Sequence, residues 1–390
     1  MHATDIVLRF LDRHVGLMHV ARRRLLAAVV AVVLQGHWVG ISRLGRGLAG
    51  SGTVKSAIKR VDRLIGNARI AGEARHVGAA LIAQVCRRTS TLVIAVDWSA
   101  ASPGGAFVEL RAGVTWPGAG RTLPVYQQVY PVKRLGNPKA ERRLLSTLKG
   151  WIPAGIEVIV VTDAGFRRSW FLHVERLGWS FVGRIRRGGS LSRDGRHWAP
   201  VAAWFARARG QARRIQDCCL WRSDPLSCDL VLYRRRRQHR HSYGAQGQPT
   251  SDEATRKARR REREPWLLAH SPRLSGYRPD EIVAFYARRM QIEESFRDSK
   301  SPTFGLGFSI GRSRSTERLH ALLLIATLAA FLLWHIGQLA EAEGMHRRFK
   351  LTTRAAREIS LITLALLLCK GTDPPLTPAA MHALNIRLAI

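Results

Sequence analysis

The chain has 390 residues, room for one large core with appendages or for two to three domains. Its 63 Lys and Arg against 28 Asp and Glu leave a formal charge of +35, while 46% hydrophobic residues provide for a real core. Self-repulsion on that scale argues against a merely soluble basic protein and for an anionic partner. A polyphosphate backbone fits best, because each neutralised phosphate releases a counterion.

Residues 1–15 are mixed and polar, unlike the basic tip and apolar run of a secretory signal. Residues 1–75 read as helical and basic, with Arg22, Arg23 and Arg24 ahead of an apolar run at 25–34. A short helix at 40–48, a turn at 49–52 and a second helix at 54–65 follow. In the second helix Val54, Ile58, Val61 and Ile65 share one face, and Lys55, Lys59 and Arg63 line another. An apolar packing face and a basic phosphate face are what a helix-turn-helix presents to DNA. Many surface helices alternate in the same way, so the pattern alone leaves both readings open.

From Thr91 the pattern becomes strand-like. The run 91–98 (TLVIAVDW) is expected to be a buried strand ending near Asp97, and 107–116 and 122–132 continue as an antiparallel meander. A helix at 138–148 leads to a strand at 156–162 that ends in Asp163; a helix at 167–177 and a strand at 180–186 complete the series. Three strands, then helix, strand, helix, strand is the order of an RNase H-like α/β core.

Residues 187–264 break that rhythm and read as a basic, β-rich insertion, with strands expected at 212–221 and 230–233. It holds the four arginines 234–237, a His239-Arg240-His241 tract, a Gly/Gln/Pro stretch at 244–250 and a basic run at 256–263. His239 and His241 lack a second pair at zinc spacing and belong with the basic loop. A strand at 265–270 returns to the core. One long helix is expected at 280–300, and apolar helices at 317–345 and 352–369. The apolar runs 25–34, 321–334 and 359–369 are shorter than the roughly 18–20 residues a membrane span needs. Core helices, no membrane partner and a cytoplasmic, nucleoid-associated location are therefore expected. Five cysteines without a CxxC pair, an odd number, argue against a disulfide framework.

The chemistry is expected where carboxylates end buried strands, in the crevice above a sheet. Hard divalent ions take oxygen ligands, and a pair of them serves an in-line phosphoryl transfer. Asp97 and Asp163 occupy two such strand ends. On a continuous helix with about 100° per residue, Tyr286, Arg289, Glu293 and Lys300 fall on one stripe about 60° wide, and Glu294 lies off it. Glu293 is thus the expected third ligand, with Arg289 and Lys300 on phosphates and Tyr286 on the backbone. The rival reading is an exposed, salt-bridged helix face.

The spacing Y-x2-R-x3-E-x6-K in YARRMQIEESFRDSK resembles the signature of bacterial DDE transposases of the insertion-sequence-four group. VIAVDWS around Asp97 and VIVVTDAGF around Asp163 resemble that group's first and second aspartate motifs. The likeness covers about residues 20–340. It implies a catalytic core at 86–186 and 265–310, an insertion at 187–264, a DNA-binding region at 1–85 and C-terminal helices at 311–390. It further implies two Mg²⁺ or Mn²⁺ ions on Asp97, Asp163 and Glu293, and a synaptic homodimer joining transposon terminal inverted repeats to target DNA. The implied reaction is cut-and-paste transposition through hydrolytic nicking, hairpin formation and strand transfer. Trp266 matches the position of an aromatic that stacks on a flipped base in such proteins, although a core aromatic there fits the residues equally. Bulky Trp98 beside Asp97 and the Arg-dense insertion depart from the group. The rivals are a nuclease on the same core that cuts without joining, and a DNA-binding descendant without catalysis.

Overall fold

A computed structural model describes residues 3–16, 18–50, 52–235, 264–311, 313–353 and 356–370. Most of the basic loop (Arg236, Arg237, His239, His241 and the stretches 244–250 and 256–263) lies outside them. The chain forms two compact units, 1–156 with 290–390, and 157–289.

The first unit opens with helices α1 (Ala3–His14), α2 (Val20–Leu34), α3 (Ile41–Leu48), α4 (Val54–Ile65) and α5 (Ile70–Cys86). Strands β1 (Thr91–Ala100), β2 (Phe107–Thr115) and β3 (Leu123–Pro131) and helix α6 (Pro138–Trp151) follow. The second unit holds β4 (Glu157–Thr162), α7 (Arg168–Arg176), β5 (Ser180–Ile185), β6 (Ser190–Ser192), β7 (Ala199–Pro200) and α8 (Val201–Trp204). It continues through β8 (Arg213–Leu220), β9 (Leu226–Tyr233), β10 (Trp266–His270) and α9 (Pro279–Ala287). The chain then returns to the first unit as α10 (Met290–Lys300), α11 (Thr316–Ala342) and α12 (Leu361–Lys370).

In the first unit β2 lies between β1 and β3, antiparallel to both. Asp97 stands opposite Arg111 and Ser99 opposite Glu109, and Arg111 stands opposite Gln127 on β3. Residues opposite one another share a face of a sheet, and neighbours along a strand take opposite faces. Asp97, Ser99, Glu109, Arg111 and Gln127 therefore share one face. Contacts from Lys300 and Ser299 of α10 and from Thr327 of α11 identify the helices that cover it. Trp98 takes the other face, where its indole nitrogen donates to Glu141 of α6 at 3.1 Å. With helices on both sides, β2 is buried along nearly its whole length, charged residues included.

The second unit pairs β4 with β5 in parallel, the crossover between them being α7. A Cβ at Gly183 on β5 would stand 2.5 Å from the Phe171 ring, so the absent side chain lets α7 seat on its strand. From β5 the sheet continues antiparallel through β10, β9, β8, β6 and β7.

Three expectations need correction. β1 does not end at the carboxylate: its ladder runs past Asp97 to Ala100, opposite Val108, because polar Ser99 still pairs with Glu109. The helix expected at 280–300 is two helices, separated by a turn at Arg288 and Arg289 in which the Arg289 amide bonds back only three residues to the Tyr286 carbonyl, at 2.9 Å. Neither Gly nor Pro marks that break. Last, the apolar run at 321–334 belongs to a helix of 27 residues, long and apolar enough to cross a bilayer. It is instead a core helix by burial, 83% of its most apolar window being enclosed, packed against α2, α5, α12 and β3.

Candidate active site

Asp97 is half-buried on β1, and one of its carboxylate oxygens accepts the Trp98 amide at 2.8 Å. Lys300, on the last turn of α10, donates to the Ser99 hydroxyl on the same face of the sheet. Burial lowers the Lys300 pKa; Glu109 and Asp97 oppose that shift, and Arg111 adds to it. Glu293 precedes Lys300 by seven residues, about two helical turns, and so lies along the same line of α10. It is exposed. The first unit thus puts Asp97 on the sheet face that α10 covers, with Glu293 and Lys300 on one line of that helix.

Glu294, one residue further on, is engaged elsewhere. It pairs with Arg121 at 3.5 Å and Arg297 at 2.9 Å, and Arg121 also grips Asp298 at 2.6 Å. Burial raises the Asp298 pKa, an effect that Arg121 opposes. The off-stripe carboxylate is therefore a bracing group, and Glu293 is the acid that shares the Lys300 line by helical phase.

Asp163 belongs to the second unit and sits directly after β4, half-buried, with one oxygen accepting the Gly165 amide at 2.7 Å. Here the strand-end expectation holds. Among the described residues no three His, Cys, Asp or Glu side chains stand together as a metal-holding group. The donor chemistry of Asp97, Asp163 and Glu293 nonetheless suits a hard divalent ion: carboxylate oxygens at positions open at least in part to solvent.

Tyr286 and Arg289 belong to the second unit, Tyr286 ahead of the turn at 288–289 and Arg289 within it, while Glu293 lies on α10 of the first. In the second unit Tyr286, 3% exposed, meets the Trp266 ring edge-on at 4.8 Å, and the Arg289 guanidinium lies 5.7 Å from the Tyr286 ring. Trp266 also packs near Tyr233, and Arg235 lies 5.9 Å from its ring. Trp266 is 9% exposed and lies between two tyrosines.

Helix α4 exposes Lys55, Lys59 and Arg63 and buries Ala57, Val61, Leu64 and Ile65. Val54, expected on the packing face, is 45% exposed; it stands in the first turn, just past the Thr53 cap, and Ala57 takes its place. Gly45 of α3 lets the two helices touch, since a Cβ there would fall 2.6 Å from the Ile58 Cα.

Sequence reasoning missed the ion pair beneath this site. Glu109 and Arg111, both 0% exposed, meet at 2.6 Å on β2. The alternation in FVELRAGVT carried the signal, because two charges at i and i+2 of a strand must share a face.

Residues 120–332 match the family described as the transposase DDE domain, a span that takes in Asp163 and Glu293. No curated protein matches the chain.

Proposed function

The chain belongs to the DDE transposase family, and on that premise we propose that it excises and reinserts a DNA element by cut-and-paste transposition, as a member of the insertion-sequence-four group. The observation that carries the reading is the shared sheet face of Asp97 and α10, with Glu293 and Lys300 two turns apart along the helix. Asp97 and Glu293, joined by Asp163, would hold two Mg²⁺ or Mn²⁺ ions. When bound, such a pair activates the attacking oxygen and stabilises the leaving one.

The chain's own residues bind and orient the DNA. Lys300, held on Ser99 near Asp97, offers a fixed cation to a phosphate. Arg289, in the turn before α10, and Tyr286, at the end of α9, serve the same strand, and Trp266 receives an extruded base. Lys55, Lys59 and Arg63 track phosphates from α4. Water first nicks the element's end, the freed 3′-hydroxyl attacks the opposite strand to close a hairpin, and the reopened 3′-end attacks target DNA. Two protomers pair two terminal inverted repeats in the acting complex. The RNase H-like reading of the core rests on the β1–β3 meander followed by the parallel β4–α7–β5 crossover.

The test mixes the protein, Mg²⁺ and DNA carrying the inverted repeats that flank its gene. Hairpin ends and joined products are expected. Cutting without joining would reduce the protein to a nuclease, and binding without cutting would retire the active site.

A further inference from the structure

We propose that Glu109 and Arg111 are positioning residues, a buried ion pair that fixes α10, and with it Glu293 and Lys300, against the strand bearing Asp97. The inference rests on the reading of Asp97, Glu293 and Lys300 as active-site residues.

The pair joins the sheet to both helices that cover its polar face. Arg111 donates to the Ser299 hydroxyl of α10 at 3.3 Å and lies 4.3 Å from the Phe296 ring of the same helix. The Lys300 ammonium stands 4.9 Å from that ring, so Phe296 links the arginine to the lysine. Glu109 accepts from Arg111 and, at 2.9 Å, from Gln127 of β3, whose other amide atom receives the Thr327 hydroxyl of α11. The first turns of α10 are held separately: Gln291 bonds the Trp116 carbonyl at 2.6 Å, and Ser295 accepts the Thr122 amide at 2.8 Å. Both ends of the helix are therefore tied by directional bonds to β2 or the loop that follows it.

A purely apolar contact between α10 and the sheet would let the helix slide or turn at little cost, since hydrophobic attraction has no direction. A hydrogen-bonded guanidinium loses its bond within a fraction of an ångström. Burying two charges is a poor way to gain stability, because an apolar pair of similar volume commonly serves as well or better. The pair is also incompletely satisfied: among the described residues Glu109 Oε2 and Arg111 Nη1 are buried without a hydrogen-bond partner. Arg111 stands directly across the ladder from Asp97, so the group that grips α10 is rooted beside the first carboxylate. Register between Asp97 and α10 is what such an arrangement supplies.

The experiment compares the full-length Glu109→Gln/Arg111→Met double variant with each single change. The singles strand a buried group and are expected to melt early, whereas the double variant removes both charges and melts near wild type. The double variant is expected to bind terminal-repeat DNA with unchanged affinity and to cleave it at least tenfold more slowly. Wild-type cleavage by a stably folded double variant would overturn the proposal. Should that variant fail to fold, Ser299→Ala removes the Arg111 bond to α10 together with a hydroxyl bond back to the Ser295 carbonyl within the helix; it is expected to slow cleavage several-fold at a nearly unchanged melting temperature, and a full rate would overturn the proposal equally. Hydrogen exchange separates this inference from the functional reading, because it needs no activity. In the stable variant the amides of 295–300 are expected to exchange faster while those of α4 do not change, even if the wild-type protein cuts no DNA. Unchanged exchange in α10 would refute the positioning role by itself.

Discussion

Helices α4 and α10 carry the same kinds of residue and use them in opposite ways. On α4, Lys55, Lys59 and Arg63 are exposed, with a 3.4 Å bond from Arg63 to the Lys59 carbonyl as their one fixed contact among the described residues. On α10, Lys300 turns inward, held by Ser99 and the Phe296 ring above a buried ion pair. The first arrangement suits a diffuse field that gathers phosphate anywhere along a duplex. The second suits one phosphate at one place. Hydropathy periodicity cannot tell them apart, since both helices alternate apolar and basic residues.

The largest expected difference between the two regions lies in the chemical step. Asp97→Asn, Asp163→Asn and Glu293→Gln should each lower Mg²⁺-dependent cleavage by about a thousandfold or more, since loss of an ion ligand removes several kcal/mol of transition-state stabilisation. Gel-shift affinity for terminal DNA should stay within a few-fold of wild type. Retained cutting by any of the three removes that residue from the site. Glu294→Gln serves as the control, and it should keep its rate while losing melting temperature.

Next in size is the contrast between the two kinds of cation. Lys300→Met should slow cleavage by roughly ten- to a hundredfold, the worth of about 1.4–2.7 kcal/mol, and leave the salt dependence of binding nearly intact. Lys59→Ala or Arg63→Ala should leave the rate of the bound complex alone, weaken binding, and lower the slope of log K against log salt by about 0.9 each. Equal effects of Lys300 and Lys59 on both quantities would erase the distinction drawn here.

A smaller effect concerns stability against pH. Burial lowers the pKa of His270, and burial together with Arg75 lowers that of His320, so both bind a proton less readily folded than unfolded. Between the lowered folded value and the ordinary value of about 6.5 the unfolded chain holds more protons, so acidification through that window removes stability. The melting temperature should fall from pH 7 to pH 5, and His320→Gln should flatten part of the fall. An identical fall in the variant would dismiss His320 as a source. Smallest of all, Cys218 is pushed up to about 12 by burial, and Cys228 is raised as well. Neutral-pH thiol reagents should therefore leave both unlabelled in the folded protein, and rapid modification would contradict their burial.

Much of the fold was legible because its elements are locally consistent. The run TLVIAVDW, the alternation in α4 and the Asn137–Pro138 start of α6, whose Asn137 side chain caps the Lys139 and Ala140 amides, each declare an element without tertiary help. The break at Arg288 and Arg289 was not legible: no Gly or Pro stands there, and only a three-residue bond in the folded chain marks it. That break puts Tyr286 in α9 and Arg289 in the turn after it, so a stripe drawn on one continuous helix takes in residues of two separate elements. The extension of β1 past Asp97 was hidden for a related reason. Polar Ser99 reads as a loop residue until its partner across the ladder, buried Glu109, is known. Helical phase alone sets Glu293 apart from Glu294 as a candidate, whereas the Arg121 salt bridge to Glu294 joins residues far apart in the chain and was not legible.

On the proposed reading Asp97, Asp163 and Glu293 together hold a pair of divalent ions. Anomalous diffraction from crystals of the protein bound to its terminal DNA and soaked in Mn²⁺ tests it directly. Two manganese peaks about 4 Å apart are expected, held by Asp97, Asp163 and Glu293. Peaks held by other side chains, or a DNA-bound crystal with no manganese beside Asp97, would contradict it.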